Sequence, residues 1–241
     1  MKIVWNEQSV QWFRRASDYT GYSRNLAKLL LEDLPQGGTL CDMGCGSALV
    51  DFELAPYFQQ ITCVDISERV IASVREEITR RGAENITAVH ADGRALPGSW
   101  DAVIALFHGG EDLAECYLRK ANDTLILATH GESYGNFGPA ERKVFKRYGA
   151  AGMKDYLDLR GIHYTVRETA IEYGQPLTDR DDARAFVRAY TAPMEDAELE
   201  AYLAETLVET GREDFPYYLP NRRKIGLFTI RRCENEGFFE A

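Results

Sequence analysis

Five short apolar runs recur between residues 39 and 128: "TLCDM" (39–43), "ITCVD" (61–65), "ITAVHAD" (86–92), "WDAVIALF" (100–107) and "TLILA" (124–128). Helical patterns separate most of them. The clearest follows the second run. Ser67 can cap it, Val70, Ile71, Val74 and Ile78 form one apolar face, and Gly82 stops it. Glu76 and Glu77 each lie four residues before Arg80 and Arg81, a spacing that supports a helix. Residues 47–58 and "EDLAECYLRKA" (111–121) also read as helices. Runs this uniformly apolar have no wet face, so they belong to a parallel sheet covered on both sides and joined by right-handed crossovers. The fold class is α/β, doubly wound and mostly parallel.

Beyond residue 130 the rhythm changes. "GESYGNFGP" (131–139) is a glycine-rich loop, and 162–173 and 224–232 read as strands. Helices are expected over 178–191, with a capping-box-like start at Thr178 and Asp181, and over 196–210. "DFPYYLP" (214–220) reads as a loop with exposed aromatics. A helical insert at about 178–220 therefore separates two late strands, and with the 131–139 loop it is expected to form a lid that selects the substrate. At the other end, Tyr22, Leu26, Leu29 and Leu30 define a helix over 21–34. This predicts an N-terminal helical cover (1–35) and one domain over 36–241.

The ends of the strands carry the chemistry. Open α/β sheets bind ligands beyond the carboxyl ends of their strands, where the strand order reverses. Gly44 and Gly46 follow the first run and let a ligand approach bare backbone. Asp42, two residues earlier, would repel a pyrophosphate and suit an ammonium. Asp65 ends the second run at a position where a carboxylate typically accepts from both ribose hydroxyls. Ile66 can pack on an adenine face, and Asp92 is placed to accept from an exocyclic amine. Each aspartate alone can equally be a turn former or a helix cap.

The formal net charge is −10, and neither half of the chain is basic: residues 1–130 hold 12 basic and 18 acidic side chains, residues 131–241 hold 16 and 20. This argues against a grip on bare nucleic acid. The basic stretch "ERKVFKR" (141–147) reads as a solvated helix face. The five cysteines form no CxxC pair, so zinc is not expected, and they suggest reduced thiols in a cytoplasm. No apolar run is long enough to span a membrane and no signal peptide is evident. His90, His108 and His130 lie near the ends of strands three, four and five without metal-ligand spacing. His90 reads as structural. His108 is the candidate base or acceptor ligand, with a loop-bonded histidine as the alternative.

"LCDMGCGSA", "CVDIS", "HADGRAL" and "WDAVIALF" together resemble the class I S-adenosylmethionine-dependent methyltransferases. The resemblance spans roughly residues 36–130, and the two late strands fit that family's terminal antiparallel pair. It implies a Rossmann-like seven-stranded sheet and S-adenosylmethionine as cofactor. Asp42, Gly44, Cys45 and Gly46 would then line the methionine side, Asp65 the ribose, and Ile66, Asp92 and Gly93 the adenine. Leu106, Phe107 and His108 would lie near the sulfonium, and Tyr22 would fold over the cofactor. The implied reaction is methyl transfer to a small molecule. Methylation of RNA or protein, or non-catalytic binding of the cofactor, are the alternatives. A dehydrogenase fits less well, because Leu49 stands where GxGxxG requires its third glycine.

Overall fold

A computed structural model describes residues 7–110, 112–131, 137–142 and 149–240. Most of the basic stretch at 141–147 and the centre of the 131–139 loop lie outside these residues. The elements run α1 (Glu7–Thr20), α2 (Tyr22–Leu31), β1 (Thr39–Met43), α3 (Leu49–Leu54), β2 (Gln60–Asp65), α4 (Glu68–Arg81), β3 (Ile86–His90), β4 (Trp100–Leu106), α5 (Leu113–Leu118) and β5 (Ala121–His130). There follow α6 (Ala150–Leu159), β6 (Thr165–Glu172), β7 (Gln175–Leu177), α7 (Arg180–Tyr190), α8 (Asp196–Thr206), β8 (Val208–Glu209), β9 (Tyr217–Leu219), β10 (Arg222–Arg231) and α9 (Gly237–Glu240).

Seven strands form one sheet in the order β3-β2-β1-β4-β5-β10-β6. Neighbours from β3 to β5 pair in parallel, and β10 pairs antiparallel with β5. This is the expected mixed, Rossmann-like sheet. Its order reverses at β1, which is flanked by β2 and β4. The glycine turn after β1 thus stands at the switch point, where an open α/β sheet leaves room for a ligand.

Two compact units divide the chain. One comprises Ser23–His130, Tyr148–Glu168 and Ile225–Ala241, and the other Met1–Tyr22, Gly131–Arg147 and Thr169–Lys224. The core of the first is the sheet itself: Cys41, Met43, Val103, Ala105, Leu125, Leu127, Phe228 and Ile230 are buried with Tyr117 and Leu118 of α5 and Leu157 of α6. Burying a Leu or Phe side chain stabilises by ~1.5–3 kcal/mol, so this layer dominates the unit's stability.

The second unit has its own core of Trp12, Phe137, Leu177, Phe186, Val187, Leu199, Leu203 and Leu219. Trp12 meets Phe186 edge-to-face at 5.2 Å, and its indole donates to Asp182 at 2.8 Å. Asp179, rather than Thr178, caps α7 by accepting from the Asp182 amide at 2.7 Å. The stretch "DFPYYLP" is not an exposed aromatic loop. Tyr217, Tyr218 and Leu219 form the central strand of a three-stranded sheet, β7-β9-β8. Tyr218 stacks on Tyr19 at 5.1 Å and donates to Glu172.

Candidate active site

The turn after β1 is built from left-handed backbone. Gly44 has φ +78°, Gly46 +53° and Ala48 +54°. The amides of Gly44 and Cys45 both donate to the Val64 carbonyl, at 2.8 and 2.9 Å, which ties the turn to β2. The two glycines then differ. A methyl on Gly44 would lie 2.3 Å from the His108 ring, whereas a methyl on Gly46 would meet nothing within 4 Å. The space vacated at Gly44 is thus filled by an imidazole, and bare backbone is left open at Gly46.

Asp65, the last residue of β2, spans that opening. One carboxylate oxygen accepts from the Gly46 amide at 3.2 Å and the other from the Ser67 amide at 2.8 Å. Ser67 in turn caps α4, accepting from Val70 at 3.4 Å. Ile66 is 69% exposed, an unusual state for an isoleucine, and its carbonyl lies 3.0 Å from His90 Nε2. β3 ends at His90, so Asp92 lies in the turn beyond it, exposed, and accepts from the Arg94 amide at 2.9 Å. Gly93 is close-packed: a methyl there would stand 3.0 Å from the Met43 sulfur and 3.2 Å from the Tyr117 hydroxyl.

At the end of β4, Leu106 gives way to Phe107 in a left-handed conformation, φ +58°. Its amide donates to the Ala128 carbonyl at 2.8 Å and its ring lies 4.9 Å from that of His130, which is buried at the end of β5. The forced turn at Phe107 delivers the next side chain, His108, to Gly44. His108 is exposed to solvent on one side, and the protein packed on its other side, at Gly44, holds the imidazole below its ordinary value; the Asp65 carboxylate opposes this, Arg94 adds to it and Asp92 opposes it more weakly. At neutral pH the ring is uncharged and able to accept a proton.

Asp42 is 2% exposed and faces Asp51, which lies in the first turn of α3 and is 0% exposed. One Asp42 oxygen and both Asp51 oxygens are buried without a hydrogen-bond partner. Burial first, then Asp51 and more weakly Asp65, raises Asp42 well above the usual carboxylate range; burial first, then Cys45, raises Asp51 to about 8, partly offset by its hydrogen bond with Asp42. Two sequence signals were silent here. Asp51 resembles an ordinary acid at a helix start, and Ala48 gives no hint of its positive φ. Tyr22 belongs to the second unit, where it is buried 4.6 Å from Tyr173 and accepts from Arg223. Among the described residues no group of three or more His, Cys, Asp or Glu side chains is arranged to hold a metal ion.

Residues 40–125 match the family model described as a methyltransferase domain. No curated protein sequence matches the chain. Among solved structures, a putative methyltransferase from Bacillus halodurans aligns at 15% identity over 86% of this chain and 98% of that one, with a TM-score of 0.54. The magnesium protoporphyrin IX methyltransferase of Synechocystis, solved with bound S-adenosylmethionine, aligns at 17% identity over 92% of each chain, with a TM-score of 0.51. A precorrin 8w decarboxylase from Methanobacterium thermoautotrophicum aligns at 14% identity over 86% and 89%, with a TM-score of 0.52. At these identities the structural likeness establishes the fold, and the differently named activities underline that a fold does not select a reaction.

Proposed function

We propose, from the premise that this chain carries a class I S-adenosylmethionine-dependent methyltransferase domain, that it transfers a methyl group to a small-molecule acceptor. One observation carries the reading. Bare backbone at Gly46, the Asp65 carboxylate and the exposed Ile66 share one end of the sheet at its switch point. These groups fit a nucleoside: a carboxylate for the ribose hydroxyls and an apolar face for the base. Asp42 lies beside the turn, where a ligand ammonium would favour its carboxylate form. When bound, the cofactor supplies a sulfonium methyl whose thioether leaving group is neutral.

The protein's own work is therefore positional. It holds the acceptor in line and excludes water, and no acid is needed for the leaving group. A base is required only for an acceptor that keeps its proton at neutral pH. His108, uncharged and set against the glycine turn, is the residue proposed for that step. The net charge of −10 favours a small acceptor over bare nucleic acid. The segment 178–220 is proposed to govern acceptor choice. Among the described residues no helix is long and apolar enough to cross a membrane. The five cysteines are free thiols. Both facts support a proposed cytoplasmic location.

Calorimetric titration with S-adenosylhomocysteine tests the reading. Wild type binds it, Asp65→Ala loses at least tenfold in affinity, and NAD has no effect on the melting temperature. Binding unchanged by Asp65→Ala would overturn the assignment.

A further inference from the structure

Asp42 and Asp51 are nine residues apart in sequence and meet only because the chain reverses through the Gly44–Ala48 turn before α3 begins. Neither carboxyl has an ion pair among the described residues, and three of their four oxygens are buried without a hydrogen-bond partner. What faces them is almost entirely neutral or acidic. The thiols of Cys41 on β1, Cys45 in the turn and Cys63 on β2 surround the pair, and the Asp65 carboxylate adds a further negative field. Among the described residues, the cation that reaches this cluster is Lys120, and it acts on Cys41. His108 stands across Gly44 as an uncharged ring.

Two carboxyls in contact, buried and without a cation, cannot both be ionised, so at least one proton lies between them. We propose that Asp51 is a positioning residue that keeps this proton and donates it to Asp42, so that Asp42 presents a single negative charge to the ammonium of the cofactor, and that binding expels the pair's other proton. The inference rests on the cofactor assignment above. It adds a residue with no place in the sequence motif and a proton count that the motif does not require.

The steps balance. Without ligand, neither buried carboxyl has a cation beside it to stabilise an anion, so both keep their protons at neutral pH, with Asp51 raised to about 8. An ammonium arriving beside Asp42 favours the anion, the Asp42 proton passes to buffer, and the Asp51 hydroxyl bonds to the new carboxylate. Affinity for an ammonium-bearing ligand must then rise with pH below that titration, by up to ~10-fold per unit. Above it the dependence flattens.

The experiment is calorimetry of the intact protein with S-adenosylhomocysteine, in phosphate and in Tris, at several pH values between about 6 and 8.5, the range set by the usual reach of such a titration. The difference in apparent heat between buffers counts protons released. Wild type is expected to release about one proton at the acid end and less as pH rises. Asp51→Asn keeps a donor for the Asp42 carboxylate, so it should still release about one proton from Asp42 and bind close to wild type, whereas Asp51→Leu removes the donor and should lose at least tenfold in affinity. Affinity unchanged by Asp51→Leu, or no proton release in wild type despite tight binding, would overturn the inference. No binding in wild type at any pH would instead overturn the cofactor assignment. Infrared difference spectra of wild type alone supply a second readout should the variant misfold. A protonated-carboxyl band must be lost when S-adenosylhomocysteine is added, and its persistence unchanged would refute the proposal.

Discussion

Gly44 and Gly46 look equivalent in the sequence, yet the structure predicts that alanine at each fails for a different reason. Both have positive φ, so either substitution costs ~1–2 kcal/mol in backbone strain. At Gly46 nothing more is lost from the fold, because the new methyl enters open space. For a chain of this size that corresponds to a fall in Tm of ~2–8 °C. At Gly44 the methyl would lie 2.3 Å from the His108 ring, and normal carbon contacts begin near ~3.5 Å. The imidazole must withdraw by more than an ångström, which adds ~1–3 kcal/mol of overpacking. His108→Ala removes that clash. A double-mutant cycle of Gly44→Ala with His108→Ala, read by urea unfolding, should therefore show ~1–3 kcal/mol of coupling, whereas Gly46→Ala with His108→Ala should show none. Ligand binding sorts the other way. Gly46→Ala should weaken S-adenosylhomocysteine at least tenfold through loss of backbone approach. If Gly44→Ala costs the same stability with and without His108, the imidazole does not occupy that space and the site geometry argued here is wrong.

Other perturbations test separate parts of the structure. Asp65→Asn keeps one acceptor oxygen but loses charge on the bonds to the Gly46 and Ser67 amides, and should weaken S-adenosylhomocysteine by ~1–2 kcal/mol in calorimetry, with Asp65→Ala weaker still. Glu77, nearly buried and bonded to Arg80 at 2.8 Å, is held down to about 2, chiefly by that arginine and by Arg81. A lowered carboxyl stabilises above its unfolded value of 4.5 and loses that contribution as pH falls toward about 2. Glu77→Gln should thus cost ~1–2 kcal/mol in urea unfolding at neutral pH and progressively less in acid. Tyr218→Phe removes the bond to Glu172 but keeps the stack on Tyr19, for a loss of ~1 kcal/mol. If Tyr218→Phe slows turnover with affinity for S-adenosylhomocysteine intact, the case for the insert in acceptor choice is strengthened; an equal loss of cofactor affinity would refute it.

What the sequence disclosed and what it hid divide along a physical line. Strand runs such as "TLCDM" and "WDAVIALF" are legible because a strand covered on both faces must be apolar at successive positions, whatever surrounds it. Glycines at a strand end, and an aspartate ending the next strand, are legible because they are local demands of a turn. Helices with few apolar positions are harder. In α1 the inward face is shared by Trp12 and Ala16 with the buried Ser9 and Ser17, so the apolar pattern is faint. In α6, Ala150, Met153 and Leu157 do repeat at helical spacing, but Gly152 weakens the propensity between them. β9 was masked by its flanking prolines, which punctuate a sheet edge as readily as a loop. The deepest gap is Asp51. An acid in the first turn of a helix is ordinary, since it suits the helix dipole and normally faces water. Only the three-dimensional turn, with Ala48 in a conformation its residue type rarely adopts, rotates that acid inward against Asp42. Spacing along the chain records which backbone shapes are required. It does not record which side chain enters the space a glycine leaves, or which acid meets another across a reversal, and both the His108–Gly44 contact and the Asp42–Asp51 pair are facts of that second kind.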